Sequence, residues 1–147
     1  HMIEHISYSG GFNMLSECYR ILKNNGKIRL STPDLQFLID LCKKDKSKLQ
    51  DEYIKWNTNN CIKSAPYADA TFVINNYVRD WGHLFIYDEK TLRSSLERAG
   101  FTNIVRCKLN CSENKELLNL ENETRMPKGF LELETFTLEA TKLIDSL

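Results

Sequence analysis

In NNYVRDWGHLFIYDEK, residues 75–90, one histidine sits between a tryptophan and a run of aliphatic and aromatic side chains. An imidazole titrates close to neutral pH, so His83 is a candidate general base at the mouth of a pocket. Gly82 lets the chain pass close to a ligand, and Trp81 and Tyr87 supply apolar wall. The competing reading is a structural histidine bonded to backbone in the corner before the next helix. Asp34 is a second candidate, because it directly follows a predicted strand and the carboxyl ends of strands in open α/β sheets face ligands. Its competing role is to cap a helix. Arg79 and Asp80 either steer a charged acceptor or pair with one another, and pairing is the default because it needs no ligand. Tyr19, Tyr53, Trp56 and Tyr77 lack interleaved basic residues and read as packing aromatics rather than a base-stacking platform.

These residues have to be positioned by regular elements. From Gly11 to Lys23, Phe12, Leu15, Tyr19 and Leu22 fall at helical spacing, and Asn24-Asn25-Gly26 ends that helix. KIRLS, 27–31, reads as a strand that runs into Thr32-Pro33-Asp34, with Thr32 as N-cap and Pro33 at the first helical position. The next helix should turn Leu35, Leu38, Ile39 and Cys42 inward. Residues 45–80 read as a helical insertion or lid: a short helix through Leu49, Tyr53, Ile54 and Trp56, an irregular turn-rich NTNNCIKSAPYAD, then a helix through Phe72, Val73, Asn76 and Tyr77. Asp88 caps a helix carrying Leu92, Leu96 and Ala99, and Gly100 stops it. TNIVRCKLN is a strand, a polar loop runs from Cys111 to Lys128, and FLELETFTLEATK is a last strand with a bulge. The last two strands suggest an antiparallel hairpin at the sheet edge.

The totals bound the possibilities. The chain of 147 residues, 41% of them hydrophobic, supports one hydrophobic core and a single domain over 1–147. Twenty basic and twenty acidic side chains cancel, which argues against nucleic acid as a partner. Five cysteines at 18, 42, 61, 107 and 111 form no CxxC or Cys/His cluster, so neither a zinc site nor a disulfide framework is expected, and the cytoplasm is the expected location. No apolar run reaches membrane length. Without a GxSxG elbow, a hydrolase is disfavoured. Ile3-Glu4-His5-Ile6 opens like the end of a buried segment, so a piece of a longer protein is expected.

Taken in order, EHI, MLSECYRILKNNGKIRLSTPDL, WGHLFIYDEKTLRSSLERAGFTNI and FTLEATK resemble the carboxyl-terminal half of the class I S-adenosylmethionine-dependent methyltransferases, especially small bacterial predicted methyltransferases. The match rests on Glu4-His5, on Glu17 through Lys27, on Thr32-Pro33-Asp34, on Gly82-His83 with Tyr87, and on Ala99-Gly100-Phe101. Asn24-Asn25-Gly26 stands where the family carries pGG. The resemblance implies an α/β fold: an incomplete Rossmann-like methyltransferase sheet with a helical insertion and a C-terminal antiparallel hairpin. It implies S-adenosylmethionine as cofactor, with Glu4, His5 and Asp34 on the cofactor side, Trp81, Gly82 and Tyr87 around the acceptor, His83 as base, and no metal. The methyl acceptor is not specified.

The family's Gly-rich loop and its acidic ribose-binding residue have no counterpart here. Gly10-Gly11, the one adjacent glycine pair, follows SYS rather than a hydrophobic strand. Weak or no cofactor binding by this chain alone is therefore expected. An incomplete sheet also leaves an open edge, so a homodimer paired through that edge is a possible assembly, and an inactive self-association or partner-docking module is the alternative function.

Overall fold

The computed structural model describes residues 1–143. After a 3-10 turn at Ile3–His5, helix α1 spans Tyr8–Ile21 and strand β1 spans Lys27–Pro33. Ser7 caps α1 through its side chain, which accepts from the Gly10 amide. Gly11 lies inside this helix, where a Cβ would come 2.6 Å from the Tyr87 hydroxyl, so this glycine serves close packing of α1 on the chain beside it.

Helix α2, Leu35–Asp40, corrects two expectations. Thr32 and Pro33 still belong to β1, and Asp34 is the N-cap, its carboxylate accepting from the Gln36 amide at 2.9 Å. Starting the helix later rotates its face: Phe37, Leu38 and Leu41 are buried, while Leu35, Ile39 and Cys42 are exposed. Helix α3, Lys48–Cys61, is longer than its spacing suggests, because Ser47 and Gln50 form a capping box and the turn-rich Asn57-Thr58-Asn59-Asn60 continues the helix. Helix α4 spans Ala70–Arg79 and helix α5 spans Glu89–Arg98, capped by Asp88 as expected.

Strand β2 spans Thr102–Cys107. The expected final strand divides into helix α6, Phe130–Glu134, and strand β3, Thr135–Thr141. FLELE alternates like a strand, but helical spacing turns Phe130 and Glu134 together toward α3, where Phe130 meets the rings of Tyr53 and Trp56. Tertiary contact overrides the local alternation. The bulge lies instead in β2, between Thr102 and Val105.

The sheet order is β1-β3-β2, with both ladders antiparallel. The expected β2/β3 pairing forms, yet β3 is the central strand and not an edge. Among the described residues no parallel pair occurs, so the Rossmann-like part of the expectation is met only in part, and β1 pairs on one side only. Phe136, Leu138 and Ala140 of β3 face α1 and α5 in one core with Leu15, Leu92, Leu96 and Phe101. A second core joins α2, α3, α4 and α6 through Phe37, Leu41, Tyr53, Val73, Tyr77 and Phe130, where one core was expected. Alternate β3 residues, Thr137 and Glu139, face the other side, which the loop after β2 covers through Arg29 and Glu121. All five cysteines are free. No helix among the described residues is long and apolar enough to cross a membrane.

Gly100 closes α5 at φ +105°, and a Cβ there would stand 2.9 Å from the Tyr19 ring. Gly100→Ala therefore combines a disfavoured backbone conformation with a steric clash and should cost about 2–3 kcal/mol, read as a lower urea midpoint at unchanged slope.

Candidate functional site

A cavity of about 340 Å³ opens beside the second core, against the turn at Ile3–His5. Its sheet side carries Glu4, His5, Pro33 and Glu134; its helical side carries Tyr53, Trp56, Tyr77 and Trp81.

The chain after α4 reverses through two successive left-handed residues, Trp81 at φ +58° and Gly82 at φ +73°. Such a conformation is ordinary for glycine and costly for tryptophan, so the surrounding contacts have to hold it. They are visible: the Trp81 ring stands 5.0 Å from the Tyr77 ring, and the amides of Leu84 and Phe85 both donate to the Glu4 carbonyl, at 2.8 and 3.2 Å. The reversal brings His83 against His5, with ring centroids 4.9 Å apart.

Each imidazole is oriented by a backbone carbonyl. His83 Nδ1 lies 2.8 Å from the Tyr77 carbonyl, and His5 Nδ1 lies 3.3 Å from the Gly82 carbonyl. A carbonyl only accepts, so Nδ1 carries the hydrogen in both rings, which leaves Nε2 as the nitrogen whose lone pair is available in the neutral ring. Thus the backbone-bonded reading of His83 and a chemical role for it are compatible, because they use different nitrogens.

Glu4 is fully buried. Its Oε2 accepts from the Thr32 hydroxyl at 3.1 Å, whereas Oε1 has no hydrogen bond. The nearest imidazole nitrogens to Oε1 are His1 Nδ1 at 3.4 Å and His5 Nε2 at 3.8 Å. A buried carboxylate oxygen without a hydrogen bond is costly and marks a site with unspent interaction capacity. Across the cavity Glu134 accepts from the Tyr53 and Tyr77 hydroxyls and pairs with Arg125 at 3.4 Å. Burial raises its pKa, against the two tyrosine donors and Arg125, while the negative Glu4 pushes it further up. Burial and the Glu134 charge raise both tyrosines, which stay protonated donors.

A carboxyl group whose folded pKa is raised stabilises fully below its unfolded value and loses that contribution as pH rises through the folded value. Glu134→Gln, which removes the charge, should therefore flatten the decline in stability above about pH 4.5, the ordinary value for glutamate. Urea denaturation at several pH values between 5 and 8 measures this; an unaltered slope would refute it.

The structure brings Glu4, His5, Trp81 and His83 together and leaves other expected residues outside. Gly82 contributes its carbonyl to His5 rather than cavity surface. Tyr87 is wholly buried beside Tyr8 and Phe85 in the sheet-side core and does not line the cavity. Asp34 also lies off the cavity, half-buried at the start of α2, with burial raising its pKa against the Gln36 amide and Arg106. Tyr53, Tyr77, Trp56 and Glu134 were not expected at the site. For Glu134 the helical spacing from Phe130 was the available signal, and the strand-like alternation masks it.

No family model matches the sequence, and no curated protein matches it. Two solved structures share the fold. One, described as a possible exported protein from Bordetella parapertussis, superposes with a TM-score of 0.53 at 9% identity, over 98% of this chain and 37% of that one. The other, a SAM-dependent methyltransferase from Archaeoglobus fulgidus, superposes with a TM-score of 0.51 at 18% identity, over 97% of this chain and 56% of that one. Identities this low establish a common fold: a mixed α/β arrangement shared with part of a methyltransferase. This chain spans little more than half the length of that enzyme.

Proposed function

We propose that this chain is the acceptor-side part of an S-adenosylmethionine-dependent methyltransferase, with the cavity beside the second core as its reaction site. The observation that carries the reading is the union of a methyltransferase-like fold with a cavity into which an oriented imidazole, His83, offers a free Nε2. When bound, S-adenosylmethionine supplies an electrophilic methyl carbon beside a positive sulfonium. The donor set suits a cation: the buried Glu4 carboxylate has an unbonded oxygen, and the Tyr77 and Trp81 rings stand at the same wall. Glu4 and His5 are the residues that would hold the positive end, and Asp34 has no part in it. His83 Nε2 takes the proton from an acceptor oxygen or nitrogen as that atom becomes the nucleophile, and the Tyr77 carbonyl stabilises the resulting imidazolium through Nδ1. Trp56, Tyr77 and Trp81 limit water and fix the acceptor's orientation.

Calorimetry of S-adenosylmethionine with the 147-residue chain, at an oligomeric state fixed by light scattering, tests this. Saturable binding at one site per chain is the supporting outcome. A folded sample that binds none would remove cofactor use from this chain. It would favour a second reading, self-association through the unpaired side of β1, for which the supporting observation is the one-sided β1 ladder; a dimer in light scattering is its expected signature.

A further inference from the structure

Glu4, His5 and His83 each present one ligand atom, and these atoms lie within 4.8 Å of one another. We propose that they form a binding site for a divalent first-row transition ion, with Zn2+ as the reference ligand. The inference does not rest on methyl transfer.

Three independent features point to a cation. The first is the tautomer of the two rings. Histidines that ligate a metal typically donate their other ring N–H to a carbonyl or carboxylate, which fixes the ring and raises the basicity of the ligating nitrogen. Both His5 and His83 make that bond, to the carbonyls of Gly82 and Tyr77. The second is Glu4 Oε1, fully buried, without a hydrogen bond, and on the cavity wall. Its companion oxygen is held by Thr32, an outer contact that fixes the carboxylate plane. The third is the local charge. Glu4 and Glu134 are both buried on one cavity, and among the described residues that line it the one guanidinium or ammonium side chain is Arg125, which pairs with Glu134. An ion with two positive charges relieves that imbalance.

The ligand set selects the ion. Two imidazole nitrogens and one carboxylate suit Zn2+ and its first-row neighbours better than Mg2+ or Ca2+, which prefer oxygen cages. Bonds of about 2.1 Å at tetrahedral angles put ligand atoms about 3.4 Å apart, so the triad must contract by a little over 1 Å. His5 is exposed and free to make that adjustment. Three protein ligands leave a coordination position toward the cavity, as in catalytic rather than structural zinc sites. A bound ion occupies the His83 Nε2 lone pair, so the metal-loaded state and the proton-accepting state of His83 exclude one another.

The test is Zn2+ titration by calorimetry on the chelator-stripped chain, with Co2+ absorption as a second readout of coordination. One ion per chain is expected, and Co2+ should give a tetrahedral ligand-field band. His5→Ala, His83→Ala and Glu4→Gln should each weaken Zn2+ binding at least tenfold, while His1→Ala should leave it within threefold. Because Glu4 is buried, metal-free circular dichroism checks the fold of its variant; should Glu4→Gln not fold, the two histidine variants decide the matter alone. Failure of the parent chain to bind overturns the proposal. So do histidine variants that bind as tightly as the parent, or a loss confined to His1→Ala, which would place the ion on the terminal imidazole.

Discussion

Arg29→Met should destabilise the protein by about 3–5 kcal/mol, because it strands two carboxylates in a buried environment. The Arg29 side chain is only 3% exposed, and the carboxylates facing it, Glu121 and Glu139, are 8% and 5% exposed. All five guanidinium N–H groups find acceptors: Nε and one Nη2 hydrogen on Glu121, one Nη1 hydrogen on Glu139, and the remaining two on the carbonyls of Cys111 and Lys108. Lysine cannot reproduce that fork, so Arg29→Lys should recover only a minor part of the loss. A chain of this size loses roughly 2–4 °C of melting temperature per kcal/mol, which makes a fall of about 10 °C the expected calorimetric result. A fall under 2 °C would mean that the loop is held by something else.

The same cluster controls stability in acid. Burial alone would raise Glu121, but Arg29, the Asn110 amide and the Ser31 hydroxyl outweigh it and hold the carboxyl at about 2, against an ordinary value of 4.5. A depressed carboxyl contributes stability above its unfolded pKa, and this is lost as pH falls through the folded value. The parent should therefore lose on the order of 3 kcal/mol between about pH 4.5 and 2. Arg29→Met should lack that acid limb. Glu134 acts with the opposite sign on the alkaline side, so the parent should be most stable between the two transitions.

On the proposed methyltransferase reading, His83→Ala should lower kcat/KM for methyl transfer by about 10²–10⁴, the ordinary contribution of a positioned general base. The assay belongs in chelator, which keeps a bound ion from occupying Nε2 and separates base catalysis from metal binding. Loss of the base should also remove the ascending limb of the pH–rate profile while S-adenosylmethionine affinity stays within a few-fold. Since His83 Nδ1 also ties the loop to Tyr77, melting temperature must be compared in parallel. Activity within threefold of the parent, with an unchanged pH profile, would assign His83 to structure alone.

The opposite fates of two predicted helix starts show what a sequence can specify. Asp88 caps α5 through the Thr91 amide as its position implies, since both atoms belong to one short segment. At α2 the same local chemistry offered two caps, Thr32 and Asp34, and the choice between them turned the whole apolar face. The choice was tertiary: Thr32 is withdrawn into the core, where its hydroxyl bonds Glu4. The segment 130–134 likewise carries a strand's alternation and folds as a helix, because Phe130 and Glu134 find the aromatic rings and hydroxyls of α3 and α4 on one side.

The family resemblance singled out Glu4 and His5; by itself the sequence determined the order of helices and strands as far as β2, the Asp88 cap, the role of Gly100, and His83 as a residue to watch. Those are short-range matters of hydrogen-bond donors, backbone freedom and periodicity, legible within a turn or two of chain. Only the tertiary structure decided that Tyr87 and Asp34 stand away from the cavity, that Glu134 and Tyr53 line it, and that His5 and His83 meet there. His5 and Gly82 are 77 residues apart in the chain, and no local preference encodes which distant carbonyl an imidazole will find. That contact follows from the packing of segments far apart in sequence, a property of the whole chain.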